Sequence, residues 1–154
     1  MNWIIDQSER MPFHTNLALV IAPLREVIAS YNWFISNFWF HPREGQSPDI
    51  DRSKDWILLS PEEFSRLVAY RMQTLWAFIA AVPKEVSLEI DEDSLPWADG
   101  NPYIWKLGHF ELDQSEVEII CWDGSYTIVK FRTAVLPDRF KEYFPEALPL
   151  SDYE

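Results

Sequence analysis

The residues best suited to acid–base or nucleophilic chemistry are few in this sequence and lie far apart. His14, His41 and His109 fall on three separate segments, and we expect them to face solvent or to cap loops rather than to bind a metal. Cys121, the only cysteine, lies on the apolar face of a predicted strand, which predicts a buried and unreactive thiol. The sequence therefore predicts no catalytic residue.

A run of alternating oxygen-bearing side chains at residues 49–55 is the closest approach to a metal site. Calcium loops also begin with carboxylates at alternate positions, but they need glycine at the sixth position and glutamate at the twelfth. Lys54 and Ser60 stand at those two positions here. The four glycines, moreover, are too far apart to build a phosphate-binding loop or a dinucleotide fingerprint. We therefore expect a solvated loop, and neither a metal nor a cofactor.

The distribution of charge is more informative than any single residue. The chain has 154 residues with 25 acidic and 13 basic side chains, a formal net charge of −12. Residues 85–123 contain eleven of the acids and one base, Lys106, so almost all of the excess negative charge is local. Such a charge argues against a protein that wraps nucleic acid or binds anionic lipid, because both functions need clustered lysine and arginine.

The same stretch contains aromatic residues of the kind found at the centres of protein interfaces. Acids beside aromatic anchors are typical of a surface that binds a basic protein. The alternative is that these acids only keep the outer face of a sheet in solution, with the tryptophans in the core beneath. The residues predicted to contact the basic partner are Glu89, Asp91, Glu92, Asp93, Trp97, Asp99, Glu111, Asp113, Glu116 and Glu118.

Local patterns predict the elements that must position this surface. Ser60 is a helix cap followed by Pro61, and Glu63 completes a capping box, so an amphipathic helix is predicted over 61–81. Residues 117–122 and 126–132 flank a short turn at Gly124 and predict a β-hairpin. The other predicted elements are a helix over 16–29, a strand over 31–40, a loop over 41–55, a strand over 85–90 and a short helix over 137–144.

Elements in this order predict an α+β fold: a single domain, residues 1–154, with an antiparallel β-sheet and a long amphipathic helix and shorter helices packed on one face. The apolar content of 47% is ample for a packed core. A domain of this size needs no disulfide or metal for its stability.

Two segments in the C-terminal third resemble a known class of protein. Residues 118–129 read Glu-Ile-Ile-Cys-Trp-Asp-Gly-Ser-Tyr-Thr-Ile-Val, and residues 140–147 read Phe-Lys-Glu-Tyr-Phe-Pro-Glu-Ala. They resemble small acidic bacterial proteins related to the immunity proteins of polymorphic toxin systems, in which a strand ending Trp-Asp-Ser-Ser-Tyr leads into a second strand and a short helix closing with Phe-Pro-Glu-Ala. Gly124 stands here for the first serine of that turn. The resemblance implies an α+β fold, a role in neutralising a protein partner, and no cofactor.

Other functions stay open on the sequence. A small enzyme or ligand-binding domain would have its pocket between the sheet and the long helix, with Tyr70, Arg71 or His109 supplying polar groups. A structural homodimer would join through an exposed strand or through the aromatic segment 33–40. The start of the chain shows no export signal, and the apolar stretch 17–22 is too short to cross a bilayer. We therefore expect a cytoplasmic monomer or homodimer with no membrane contact.

Overall fold

The computed structural model of the chain describes residues 1–42, 47–70 and 72–153. Within those ranges seven strands form one sheet in which every neighbouring pair is antiparallel, in the order β3-β2-β4-β5-β6-β1-β7. The strands are β1 (Trp3–Ile5), β2 (Tyr31–His41), β3 (Trp56–Leu59), β4 (Gln73–Pro83), β5 (Val117–Trp122), β6 (Tyr126–Phe131) and β7 (Leu148–Pro149).

Three α-helices pack on one side of this sheet, which we call the helical face. They are α1 (Leu17–Val20), α2 (Pro61–Ala69) and α3 (Leu136–Tyr143). Short 3-10 helices lie at Ala22–Leu24, Ile28–Ser30, Glu92–Ser94, Pro102–Trp105 and Leu150–Tyr153. The predicted α+β class with helices on one face is confirmed. No helix in the described part of the chain has the length and apolar character needed to span a membrane.

The helical face is closed by a large apolar core. Alternate residues of the central strands, such as Trp33, Ile79 and Ile119, point into it, and the helices contribute residues such as Phe64 and Phe140. Trp33 stacks on Phe64 with ring centroids 4.0 Å apart, so α2 is held against β2 by a close aromatic contact.

The predicted long helix over 61–81 is wrong in its second half. The capping box forms as expected, with Ser60 Oγ accepting from the Glu63 N–H at 3.2 Å and Glu63 Oε2 accepting from the Ser60 N–H at 2.8 Å. The helix ends at Ala69, however, and residues 73–83 form β4. β4 lies in the middle of the sheet and is covered on both faces, so nearly all of its residues are apolar and the spacing of a helix cannot be told from that of a buried strand.

Two other predicted elements differ from the structure. Residues 84–91 are not a strand, because they pair with no neighbour and lie as extended and turning chain over the sheet. The predicted helix over 16–29 is broken into α1 and the first two 3-10 helices. Pro23 lies in the first turn of the second piece, where its missing N–H interrupts the α-helical hydrogen bonds.

The C-terminal elements match their predictions closely. β5 and β6 form the expected hairpin, and α3 is the expected short helix. Gly124 lies in the turn at φ +65°, next to Asp123 at φ +50°, both in the left-handed region. A Cβ at Gly124 would lie 3.2 Å from the amide end of the flexible Gln73 side chain, which can move aside, so the turn favours glycine mainly for its conformation.

Candidate functional site

The second face of the sheet is covered by an irregular segment that we call the acidic layer, residues 85–116. It contains nine acids and one base. Its apolar side chains turn inward onto the sheet, where Ala98, Ile104 and Leu112 join a core with Phe78 and Ile120. The acids of the layer are thereby left on its outer side. The predicted acidic face therefore belongs to a separate layer rather than to the outer surface of the sheet.

The middle of the layer, residues 96–99, is attached to β2 through side chains of that strand. Ser36 Oγ donates to the Pro96 carbonyl at 2.5 Å. The Asn37 side-chain oxygen accepts from the N–H groups of Ala98 at 3.1 Å and Asp99 at 3.0 Å. Asn37 itself has φ +51°, a left-handed conformation that asparagine tolerates better than most residues.

The C-terminal part of the layer, residues 106–115, is attached through Glu118 and Lys130, two buried ionisable residues of the hairpin. Glu118 accepts from the Leu112 N–H at 2.9 Å, from the Glu111 N–H at 3.3 Å and from Ser115 Oγ at 3.0 Å. Lys130 Nζ donates to the carbonyl oxygens of His109 at 2.8 Å and Lys106 at 3.3 Å. Four of these five contacts are made to backbone N–H and C=O groups of the irregular segment, and the fifth is made to the Ser115 hydroxyl.

The environment of Glu118 favours its protonated form. Burial raises the pKa of this carboxyl to about 7, although its hydrogen-bond donors and the charge of Lys130 act in the opposite direction. Glu118 has no exposed surface. Its prediction as a contact for a basic partner is therefore wrong, because the acidic layer covers the face of β5 that a two-residue alternation assigns to solvent.

The other predicted contact residues fall into two groups. Glu116 and Glu111 are half-buried and already engaged: Glu116 accepts from the Tyr31 hydroxyl at 2.6 Å, and Glu111 lies 2.8 Å from the His109 ring nitrogen Nε2. The remaining predicted residues are exposed. They are Glu89, Asp91, Glu92, Asp93, Trp97, Asp99 and Asp113.

The exposed acids of the layer carry uncompensated charge. Across residues 1–42, 47–70 and 72–153, none of them forms an ion pair with a basic side chain. Trp97 and Tyr103 extend outward from the same layer with 42% and 51% of their surface exposed. The site is therefore a surface on which unpaired carboxylates and large aromatic rings are presented together.

Trp39 is a surface residue that the sequence reasoning did not single out. It lies near the end of an aromatic strand predicted to be covered, yet it is 62% exposed. The sequence feature that indicates a break in the regular pairing of this strand is its pair of polar residues, Ser36 and Asn37. Residues 33–36 of the same segment are paired on both sides, with β3 and β4, so this part offers no free edge to a second copy, and the homodimer alternative stays a prediction.

The groups named for an alternative pocket do not come together. Tyr70 packs against the core of the helical face, whereas His109 lies in the acidic layer on the second face. Arg71 lies outside the described residues. No cluster of three or more histidine, cysteine or acidic side chains suited to a metal occurs in the part of the chain that the structure describes.

Two further residues considered for chemistry have structural surroundings: His14 is held by hydrogen bonds, and Cys121 is buried. His14 lies between the Ser8 N–H, which Nε2 accepts at 3.2 Å, and the Ser125 carbonyl, which lies 2.9 Å from Nδ1, so it links an N-terminal turn to the hairpin. Cys121 is fully buried, as predicted, and burial raises the pKa of its thiol to about 12. Comparison of the chain with protein-family models, with curated proteins and with solved structures finds no match.

Proposed function

We propose that this chain is a non-enzymatic cytoplasmic binding protein that neutralises a basic protein partner, in the manner of an immunity protein. The observation that carries the proposal is the acidic layer itself, in which outward-facing unpaired carboxylates and exposed aromatic rings are held on a sheet by buried side chains. A toxin nuclease is the partner class that fits best, because the cleft that binds nucleic acid in such an enzyme must be rich in lysine and arginine.

The attachment of the layer to the sheet supports binding as well as presentation. Contacts from Asn37, Glu118 and Lys130 hold the middle and the C-terminal part of the layer in the free protein. A surface ordered before binding loses less conformational entropy when the partner arrives. The uncompensated charge would speed association by steering a cationic partner, while buried aromatic contacts would slow dissociation.

The test is co-expression of the tagged protein with the products of the neighbouring genes, followed by co-purification at about 50 mM and about 500 mM NaCl. We expect one basic protein to be retained at low salt and largely released at high salt. The variant with Glu89→Lys and Asp93→Lys reverses two exposed charges that form no side-chain hydrogen bond among the described residues. It should lose the partner.

The matched control reverses two exposed charges on the opposite side of the molecule, Glu62→Lys and Glu142→Lys. It changes the net charge by the same amount and should retain the partner. Retention that ignores the substitutions in the acidic layer, or loss that is equal in both double variants, would contradict the proposal.

A further inference from the structure

Two of the eight tryptophans of the chain, Trp39 and Trp97, have surroundings unlike the others. The other six each lie against an aromatic ring or a lysine ammonium group. In the described ranges Trp39 and Trp97 have neither kind of contact, and both are largely exposed. They nevertheless line the same cavity, of about 350 Å³, at the border between β2 and the acidic layer.

The position of Trp39 results from a bulge in β2. Before the bulge the odd-numbered residues Trp33 and Ile35 point into the core of the helical face. The register with β4 shifts between Ser36 and Trp39, and after the shift Phe38 and Phe40 occupy that core instead. The bulge therefore moves the side chain of Trp39 to the second face, opposite Trp76.

The same bulge also fixes the position of Trp97. The Asn37 side chain binds the two N–H groups that directly follow Trp97 in the chain, those of residues 98 and 99. One residue in a strained left-handed conformation thus aligns both tryptophans with the cavity. Strained residues of this kind cluster at binding sites, where the surrounding structure maintains them.

The charged residues that line the cavity lie in residues 51–55, directly before β3. They are two carboxylates and two cations: Asp51, Arg52, Lys54 and Asp55. Asp51 is engaged, since it accepts from Ser53 and lies 3.8 Å from Lys54 Nζ. Arg52 lies over the Phe40 ring at 5.0 Å from its centroid. Asp55 lines the cavity, and among the described residues its carboxylate has no hydrogen-bond or ion-pair partner. The groups left available to a ligand are the Asp55 carboxylate and the indole rings of Trp39 and Trp97. Trp56 also lines the cavity, but its ring is stacked on Phe34 with centroids 5.7 Å apart.

We propose that this cavity binds one arginine side chain of the basic partner. A guanidinium group is flat and weakly hydrated, so it stacks on an indole ring while donating hydrogen bonds to a carboxylate, which a lysine ammonium group does less well. The neighbouring acidic layer supplies a negative potential around the opening. This inference rests on the proposed function, because it identifies the residue type by which the partner is anchored.

The experiment uses the full chain and needs no partner. Protein labelled with ¹⁵N is titrated with a capped Gly-Arg-Gly peptide, and the indole N–H signals are followed by NMR after assignment with Trp39→Phe and Trp97→Phe. We expect saturable shifts that are largest at those two indoles, with a smaller shift at Trp56, which also lines the cavity. The capped citrulline peptide, which is nearly isosteric but uncharged, should bind about tenfold more weakly.

Three variants complete the test. Asp55→Asn should weaken arginine binding about threefold, Trp39→Ala should weaken it about fivefold, and Glu62→Gln on the helical face should leave it unchanged. Equal binding of the arginine and citrulline peptides, shifts of equal size at indoles that do not line the cavity, or no saturable shift would each overturn the inference. The proposed function is tested separately by co-purification: a basic partner retained equally by wild type and by Trp39→Ala would overturn the arginine pocket alone.

Discussion

Glu118 of β5 and Lys130 of β6 stand directly opposite each other in the sheet, and both side chains are fully buried. Neither lies in the apolar core of the helical face. Each reaches from the second face into the acidic layer, where Glu118 accepts backbone N–H groups and Lys130 donates to backbone carbonyls. The pair therefore connects a regular sheet to a segment that has no strand of its own.

Replacing Lys130 with methionine should lower the free energy of unfolding by about 3 kcal/mol, because the His109 and Lys106 carbonyls lose a charged donor and the buried Glu118 loses a nearby positive charge. Urea unfolding gives this value, and limited proteolysis should show earlier cleavage within 106–115. The matched control is Lys141→Met. Lys141 also donates to two carbonyls, but it is only half-buried, so its loss should cost less than about 1 kcal/mol. Equal losses would contradict the role assigned to Lys130.

The stability of the protein should depend on the ionisation of Glu118. Because burial raises the pKa of Glu118 to about 7, the folded protein keeps a proton that the unfolded chain releases at the ordinary glutamate pKa of 4.5. The contribution of this group to the free energy of unfolding therefore falls as pH rises from about 4.5 to about 7 and is constant above that. Glu118→Gln stays neutral, so the difference in stability between wild type and variant should change across this range. Parallel curves from pH 4.5 to 8 would show the expectation to be wrong.

Asn37 should be more important for stability than its position in a bulge suggests. Asn37→Ala removes the acceptor of two N–H groups and leaves alanine in the left-handed region, with an expected loss of about 2–3 kcal/mol. Asn37→Asp keeps an acceptor and tolerates the same conformation, so its melting temperature should stay close to that of the wild type. A loss as large in the aspartate variant would argue against this explanation.

The exposed tryptophans should contribute little to folding. Trp39→Ala and Trp97→Ala should each change the free energy of unfolding by less than about 1 kcal/mol, because neither ring is packed into a core. Trp33→Ala, which removes the ring stacked on Phe64, should cost about 4 kcal/mol. Thermal unfolding of the three variants measures the contrast. A large loss at Trp39 would indicate a structural role in place of a binding role.

Cys121 should act as an internal reporter of unfolding. Burial raises the pKa of its thiol to about 12, and the side chain has no exposed surface. A thiol reagent at about pH 8 should therefore leave the folded protein unmodified and label it only as urea unfolds it. Rapid labelling without urea would mean that the hairpin opens far more readily than its burial implies.

The parts of the fold that the sequence predicts correctly are those determined by residues close together in the chain. The capping box of α2 and the turn at Gly124 depend on side chains within a few positions of each other, and both form as predicted. The hairpin and the start of α2 follow from them. These elements carry their own start and stop signals, so no knowledge of their tertiary neighbours is needed.

The predictions that are wrong concern segments whose structure depends on contacts with residues far away in the sequence. β4 was not distinguishable from a helix because layers on both sides of the sheet require apolar residues at nearly every position. The alternation of Leu88 and Ile90 with polar residues predicts a strand, and those two residues do turn toward the sheet, but the chain between them pairs with no strand. The alternation of residues in β5 predicts that Glu118 lies at the surface. The layer that covers it is irregular, so no periodic pattern of apolar residues indicates in the sequence that this face is covered.

The architecture of the second face separates the part of the protein that folds from the part that would recognise a partner. The outward side chains of residues 89–93 take no part in the apolar core between the acidic layer and the sheet. Among them only Asp91 accepts a hydrogen bond, from the N–H of Asp93 in the same turn. Their identities are consequently free to vary while Asn37, Glu118 and Lys130 keep the layer in place. Under the proposed function, the same scaffold would accept a different partner through changes confined to a surface that the sheet does not need.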